Sequence, residues 1–307
     1  MNEIQTQRSW RTAVLAVAGT AGHLVMDAGL TSRTFIKRRP LGGISGFVIL
    51  VLVFVALFAP QVARYDPEAQ HAGRILEASS WEFWMGTDHL GRDVYSRLVH
   101  GARVSIIVGF TAVALGTTVG SLIGLVSGFQ GGKFDLYVQR LVDTWIAFPG
   151  LVLILALVAM LGPSLFNVSI AIAIGTMPGT SRVVRSAVLS TKENEYVLAA
   201  YAVGASRIRI GARHILPNVA APIIIVATVS LGTAILAEAS LSFLGLGVPP
   251  PAPTWGGMLA REGREFMIIR PMLALWPGFA ITTVVMAFNL FGDALRDVWD
   301  PRLRGAH

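Results

Sequence analysis

Few side chains in this sequence could act at a reacting atom. Glu238 is the one ionisable residue well inside a long apolar run. A carboxylate in hydrocarbon costs roughly 3 kcal/mol or more, so it must face protein or water. It suits a pore-lining or gating contact, or a site near a membrane boundary. A rise of about 1.5 Å per residue from Asn218 puts it some 30 Å along a helix, close to the outer boundary. A hydrogen bond to the loop after Gly245 would hold it there. Asp88, Arg92 and Asp93 form a second polar group. A helix starting near Leu90 would place Asp88 at its cap, and Arg92 could pair with either acid. That group reads as a local clamp or as a contact for an external partner. Trp255, Trp276 and Trp299 fall near expected membrane boundaries, where indole anchors well; Trp255 could also stack on a solute.

Other chemistry is excluded by what is missing. There are no cysteines, so disulfides, thiol catalysis and cysteine metal sites are ruled out. His23, His71, His89, His100, His214 and His307 are scattered with no i, i+4 pair, so no metal site is expected. Gly132-Lys133 is followed by Phe134 and lacks the upstream glycine spacing of a phosphate-binding loop. The chain is therefore not expected to bind ATP or to be an enzyme. It also lacks the paired intramembrane acids that a driving-ion site would use.

The elements that would carry these residues are membrane spans. Of 307 residues, 53% are hydrophobic and 14% charged, against about 25% charged in a soluble domain. The net charge of +7 then sets orientation and does not point to nucleic acid. About 20 apolar residues cross the hydrocarbon core. Leu41–Ala63 and Val104–Gly132 can each cross once. Thr144–Ser181 is uncharged and too long for one span, and Leu161-Gly162-Pro163-Ser164 splits it. Spans three and four enter near Leu136 and leave near Arg182, with Arg140 and Asp143 near the entry. Asn218–Phe243 is the fifth span and Met272–Gly292 the sixth. The expected class is an all-α integral membrane protein with six transmembrane helices.

Placing both termini inside puts 17 Lys and Arg on the inner segments and eight on the outer ones. Residues 1–40 read as a cytoplasmic tail, 41–103 as the first span with its outer segment, 104–293 as a core of five spans, and 294–307 as a second tail. Ala13–Ala21 resembles a signal peptide, but Arg33, Lys37, Arg38 and Arg39 follow it, which favours a cytoplasmic or interfacial tail. Gly116, Gly120, Gly124 and Gly128 form a stripe on span two that would let another helix pack closely, inside the chain or across to a partner.

The inner loop, 188–217, reads as helix, turn, helix. Ser190-Thr191-Lys192-Glu193 fits a capping box for a helix from Thr191 to Val203. Gly204 would end that helix, Ser206 would cap a second one through His214, and Pro217 would turn the chain into span five. Its centre is small (Ala199, Ala200, Ala202, Gly204, Ala205) and ringed by Arg207, Arg209 and Arg213. This suits either an ordinary basic loop or a docking knob.

Tyr196-Val197-Leu198-Ala199-Ala200, Gly204-Ala205-Ser206 and His214-Ile215-Leu216-Pro217-Asn218 together resemble the cytoplasmic loop of bacterial ABC-importer permeases. Ala199, Ala200, Gly204, Leu216 and Pro217 match that family's Glu-Ala-Ala, Gly, Leu-Pro pattern, with Leu198 at its Glu position. Met85–Asp93, Glu238–Gly247, Pro253-Thr254-Trp255-Gly256 and Asp297-Pro301-Arg302 resemble the dipeptide, oligopeptide and nickel branch, "C" type, from about Arg38 to Arg304. The resemblance implies the type I importer permease fold in the bacterial inner membrane. It implies ATPase coupling through Leu198, Ala199, Ala200, Gly204, Ala205, Ser206, His214, Leu216 and Pro217. It also implies a second homologous permease, two ATP-binding subunits holding ATP and Mg, and an extracytoplasmic solute-binding protein. Asp88, Arg92 and Asp93 become candidate contacts for that protein, and Glu238 and Trp255 candidates for the pathway or gate.

Overall fold

A computed structural model describes residues 40–299. The readings of the first tail and of Pro301 and Arg302 lie outside the described residues. Within them the chain is helical, with one isolated β-bridge between Thr87 and Asp93. The helices are α1 (Pro40–Leu57), α2 (Ala59–Val62), α3 (Val94–Gln130), α4 (Gly132–Ile146), α5 (Gly150–Leu161), α6 (Leu165–Lys192), α7 (Glu195–Ala202), α8 (Arg207–Ile210), α9 (Leu216–Phe243), α10 (Trp255–Met258) and α11 (Met272–Trp299).

Among the described residues, four helices are long and apolar enough to cross a bilayer: α1, α3, the rod Arg207–Phe243 and α11. α3 begins ten residues before the expected start of span two, and α11 runs past Gly292 to Trp299. The boundaries expected at 103 and 293 therefore fall inside helices. Span three differs more. It is two helices, α4 and α5, bent by 86° at Ala147-Phe148-Pro149. Pro149 lacks the N–H needed to continue α4, which the apolar run of the sequence conceals. The expected split after Leu161 is present: Gly162 takes φ +85, and the Ser164 hydroxyl accepts from Asn167 N–H to start α6.

α6 supplies the sixth helix without meeting the apolarity of the other four. Three of the polar residues along its membrane stretch, Ser169, Thr180 and Ser181, are buried. A helix wrapped by protein needs less apolar surface than one facing lipid. The glycine stripe explains the wrapping. A Cβ at Gly116 would press on Thr176 and Ala173, at Gly120 on Met177 and Thr180, at Gly124 on Ser181 and Arg185, and at Gly128 on Val188. All four glycines face α6, so the stripe is used inside this chain.

Two apolar clusters hold the bundle. One joins α3, α5, α6 and α9 through Val108, Ala112, Ile154, Val158, Ile172 and Leu241. The other joins α1, α3, α9, α10 and α11 through Leu52, Ala102, Ile235, Trp255, Val284 and Phe288. α1 lies at the edge and leaves Phe47, Leu50 and Phe54 exposed. Those side chains suit lipid.

Candidate functional site

The basic loop forms a small packed unit at one end of the bundle. α6 continues through the stretch read as a capping box: Thr191 Oγ1 donates to Ala187 O, and Lys192 Nζ reaches Gly128 O at 3.1 Å. The break falls at Glu193-Asn194, and Asn194 is the N-cap of α7. Ser190 and Thr191 cap nothing because both lie inside the preceding helix.

α7 ends as the sequence suggests. Gly204 has φ +80, Ala205 N–H donates to Ala200 O, and Gly204 N–H donates to Tyr201 O. These two bonds make a Schellman ending, which needs a left-handed residue at this point. Ser206 Oγ then accepts from Arg209 N–H at 3.4 Å. From Arg207 the chain is one rod to Phe243 and does not turn at Pro217. A wide turn over Gly211–Ile215, closed by Leu216 N–H to Gly211 O, precedes Pro217 and puts it in the first turn of α9. There its missing N–H leaves no bond unmade.

The inner face of this unit is dry. Val197, Ala200, Ile210, Ile215 and Val219 are buried against Val184 and Val188 of α6, with Leu125 and Phe129 of α3 beside them. The outer face is apolar and uncovered: Val203 is 84% exposed and Ile208 85%. Leu198, Ala199, Gly204, Ser206, Leu216 and Pro217 are also exposed, Ala205 and His214 are half-buried, and Ala200 is buried. Arg207, Arg209 and Arg213 surround the apolar tip. The result is a knob fixed to three long helices, so a force on its tip is passed to them. Val203 and Ile208 were not singled out from the sequence. Their signal was two large apolar residues flanking a Gly-Ala-Ser turn in a basic loop.

α4 is tied to the same end of the bundle. Asp135 accepts both Arg185 Nε and Arg185 Nη2, at 2.6 and 2.5 Å, and Arg182 reaches Asp143 at 2.5 Å. Gln139 donates to Ser127 Oγ at 3.0 Å.

At the other end, the acids and arginines form a closed cluster. Asp93, not Asp88, caps α3, accepting from Ser96 N–H at 2.9 Å and Ser96 Oγ at 2.6 Å. Arg92 therefore does not pair with Asp93. Its Nε donates to Asp88 at 2.6 Å and its Nη2 to Glu262 at 2.9 Å. Arg97 lies 3.5 Å from Asp88 and 3.6 Å from Glu262. Asp88 also accepts from the backbone of Leu90 and Arg92. All of these groups, Asp93 included, are buried. The side chains of Asp88, Arg92 and Asp93, read as a clamp or as a contact for an external partner, are buried in this cluster and not exposed at its surface. Glu262 and Arg97 were not singled out from the sequence, since Glu262 is 170 residues from Arg92. Ligand atoms of Asp88, His89 and Glu262 lie within 4.8 Å of one another. Two guanidinium groups already neutralise both carboxylates there, which leaves no net negative charge to hold an added cation. On the exposed strap before this cluster, hydrogen bonding to Glu77 and the charges of Glu77 and Glu82 hold the Arg74 guanidinium above its ordinary range.

Glu238 is enclosed by α3 and α9. Its carboxylate accepts from Ser105 Oγ at 3.0 Å and Ser242 Oγ at 2.8 Å. The partners expected after Gly245 are replaced by these two hydroxyls, and the residue is fully buried. Trp255 is also buried, its Nε1 donating to Leu98 O at 2.9 Å across Gly101. It is neither a lipid-belt anchor nor open to a solute in this conformation. Trp276 is half-buried against the second apolar cluster.

The chain's similarities fit this arrangement. Residues 120–305 match the family described as binding-protein-dependent transport system inner membrane component. The chain belongs to this family. Residues 33–78 match the N-terminal transmembrane domain of oligopeptide transport permease C, which sets the C type. A dipeptide transport system permease protein of Alkalihalophilus pseudofirmus is 44% identical over 88% of each chain. A di/tripeptide transport system permease protein of Pseudomonas aeruginosa is 44% identical over 87% of this chain and 89% of its own. A glutathione transport system permease protein of Escherichia coli is 41% identical over 88% and 89%. In solved structures, a chain from an inward-facing MetNI methionine ABC transporter matches with a TM-score of 0.55 and 19% identity, over 66% of this chain and 96% of that one. The fold is therefore that of a type I ABC-importer permease. This permease is a multi-pass inner-membrane subunit of an ABC importer, and its family works with separate ATPase and solute-binding partners.

Proposed function

We propose that this permease forms half of the translocation pathway for di- or oligopeptides. A second homologous permease supplies the other half. The knob at α7–α8 seats on one of two ATPase subunits, which carry ATP and Mg, and a solute-binding protein delivers cargo at the opposite face. Both termini are then cytoplasmic. The observation that carries this reading is the exposed apolar pair Val203 and Ile208 on a rigid basic knob. The basic residues Arg182, Arg185, Lys192, Arg207, Arg209 and Arg213 cluster at the same end, which favours the cytoplasm. The peptide cargo rests on the dipeptide, di/tripeptide and glutathione permeases among the relatives.

In this mechanism the ATPases close on ATP and carry the knob with them. The tie of the knob to α3, α6 and α9 turns that movement into a change at the pathway. Nucleotide shifts the equilibrium only if the knob's contacts differ between the open and closed ATPases.

Expression of this chain with the genes beside its own, followed by purification in mild detergent, tests the assignment. Co-purification of a second permease and ATPases, with ATP-dependent dipeptide uptake after reconstitution, is the expected result. Recovery of the chain alone with ion-driven uptake would instead make it a secondary transporter. Recovery with unrelated membrane proteins and no uptake would make it a scaffold.

A further inference from the structure

The bend between α4 and α5 lies at an unusual depth. α5 has 12 residues, which at the helical rise span about 18 Å. The hydrocarbon core is about 30 Å thick. α5 starts beside the bend and ends at the Gly162-Pro163-Ser164 turn. That turn sits at the level of the outer half of α3, since Thr111 Oγ1 bonds Ser169 Oγ one turn into α6. The bend therefore falls within the hydrocarbon layer, and tilting α5 would only shorten its vertical reach.

The bend is also open. Thr144 through Gly150 are all exposed, including Trp145 and Phe148. Ala147 N–H bonds Asp143 O, Phe148 N–H bonds Trp145 O, and Leu153 N–H bonds Pro149 O. Among the described residues, no backbone partner is found for the N–H groups of Gly150, Leu151 and Val152 or for the carbonyls of Ile146, Ala147 and Phe148. Unpaired backbone at this depth does not face lipid. It is stable where it lines water or is covered by polar groups. The polar face of α4 does not cover it, because Asp135, Gln139 and Asp143 turn inward onto Arg185, Ser127 and Arg182.

We infer that the segment Thr144–Val152 lines the aqueous solute pathway and presents its free backbone groups, between Trp145 and Phe148, to the backbone of a passing peptide. A covering helix of a second permease is the less suitable neighbour, because its own amides are bonded internally. Water and an extended peptide each offer both donors and acceptors. The apolar, uncharged walls suit cargo whose side chains vary. This inference rests on the importer reading above.

The chain has no cysteine, so single replacements give a clean labelling background. W145C, F148C, L151C and the α1 controls F47C and L50C would be placed in the reconstituted complex. A hydrophilic, membrane-impermeant thiol reagent is then applied, with and without a transported dipeptide, ATP and the solute-binding protein. The expected result is at least tenfold faster labelling at 145, 148 and 151 than at the α1 controls, and slower labelling during turnover. Labelling as slow as at the α1 controls would overturn the inference, as would reactivity that turnover leaves unchanged. Dipeptide uptake by the unmodified complex is measured alongside. Uptake without labelling defeats the inference and leaves the peptide-importer reading intact, whereas absence of dipeptide uptake defeats the peptide-cargo reading on which the inference rests.

Discussion

Replacing Val203 and Ile208 together with aspartate lowers ATP-driven uptake at least tenfold while leaving the permease folded and inserted. Both side chains are almost fully exposed, and neither contributes to the dry inner face of the knob. The unpartnered chain therefore loses little from the change. In the assembled importer the same side chains would be desolvated against an ATPase, where a buried apolar anchor is commonly worth about 2 kcal/mol or more. An unpaired carboxylate in that contact adds a further cost. About 1.4 kcal/mol already corresponds to a factor of ten in binding. The measurement is uptake together with the amount of ATPase retained on the purified permease. Normal values of both in the double variant would remove the knob from the coupling path.

Gly120→Leu combined with Gly124→Leu abolishes recovery of the folded chain. A Cβ at either position would overlap α6, on Met177 and Thr180 in one case and on Ser181 and Arg185 in the other. Overpacking costs about 1–3 kcal/mol per site in cores that can adjust. Here the obstacles include backbone carbonyls of an adjacent long helix, which cannot rotate away. Gly179→Ala is the matched control. It lies in α6 with nothing within 4 Å of a new Cβ, so it is expected to be neutral. Size-exclusion profiles in detergent read both. A monodisperse, heat-stable Leu double variant would mean that α3 and α6 do not pack through this stripe.

Much of this architecture was legible because membrane spans are written in long local runs. α1, α9 and α11 follow from apolar length alone, and the turn at Gly162 follows from Gly-Pro-Ser. The knob was legible for a similar reason. Gly204 and Ser206 act on neighbours within five residues.

What escaped the sequence depends on distant partners or on helix register. Pro149 bends span three and Pro217 does not bend the rod, although both follow an apolar residue. The difference is the wide turn at Gly211–Ile215, which a hydropathy pattern does not encode. Arg92 passes over the adjacent Asp93, whose Oδ2 takes both Ser96 bonds at the α3 cap, and pairs with Asp88 and the distant Glu262. Glu238 is held by Ser105, which lies on another helix. The glycine stripe marked a close helix contact, but only the fold assigns it to α6.

Coupling through the knob depends most directly on the side of the membrane that the knob occupies. I208C and V203C in the cysteine-free chain, produced without the ATPase subunits so that the knob is uncovered, would be exposed to an impermeant thiol reagent in intact cells and in inverted membrane vesicles. Labelling only in inverted vesicles is predicted. Labelling of either position from outside intact cells would contradict the topology and with it the seat proposed for the ATPase.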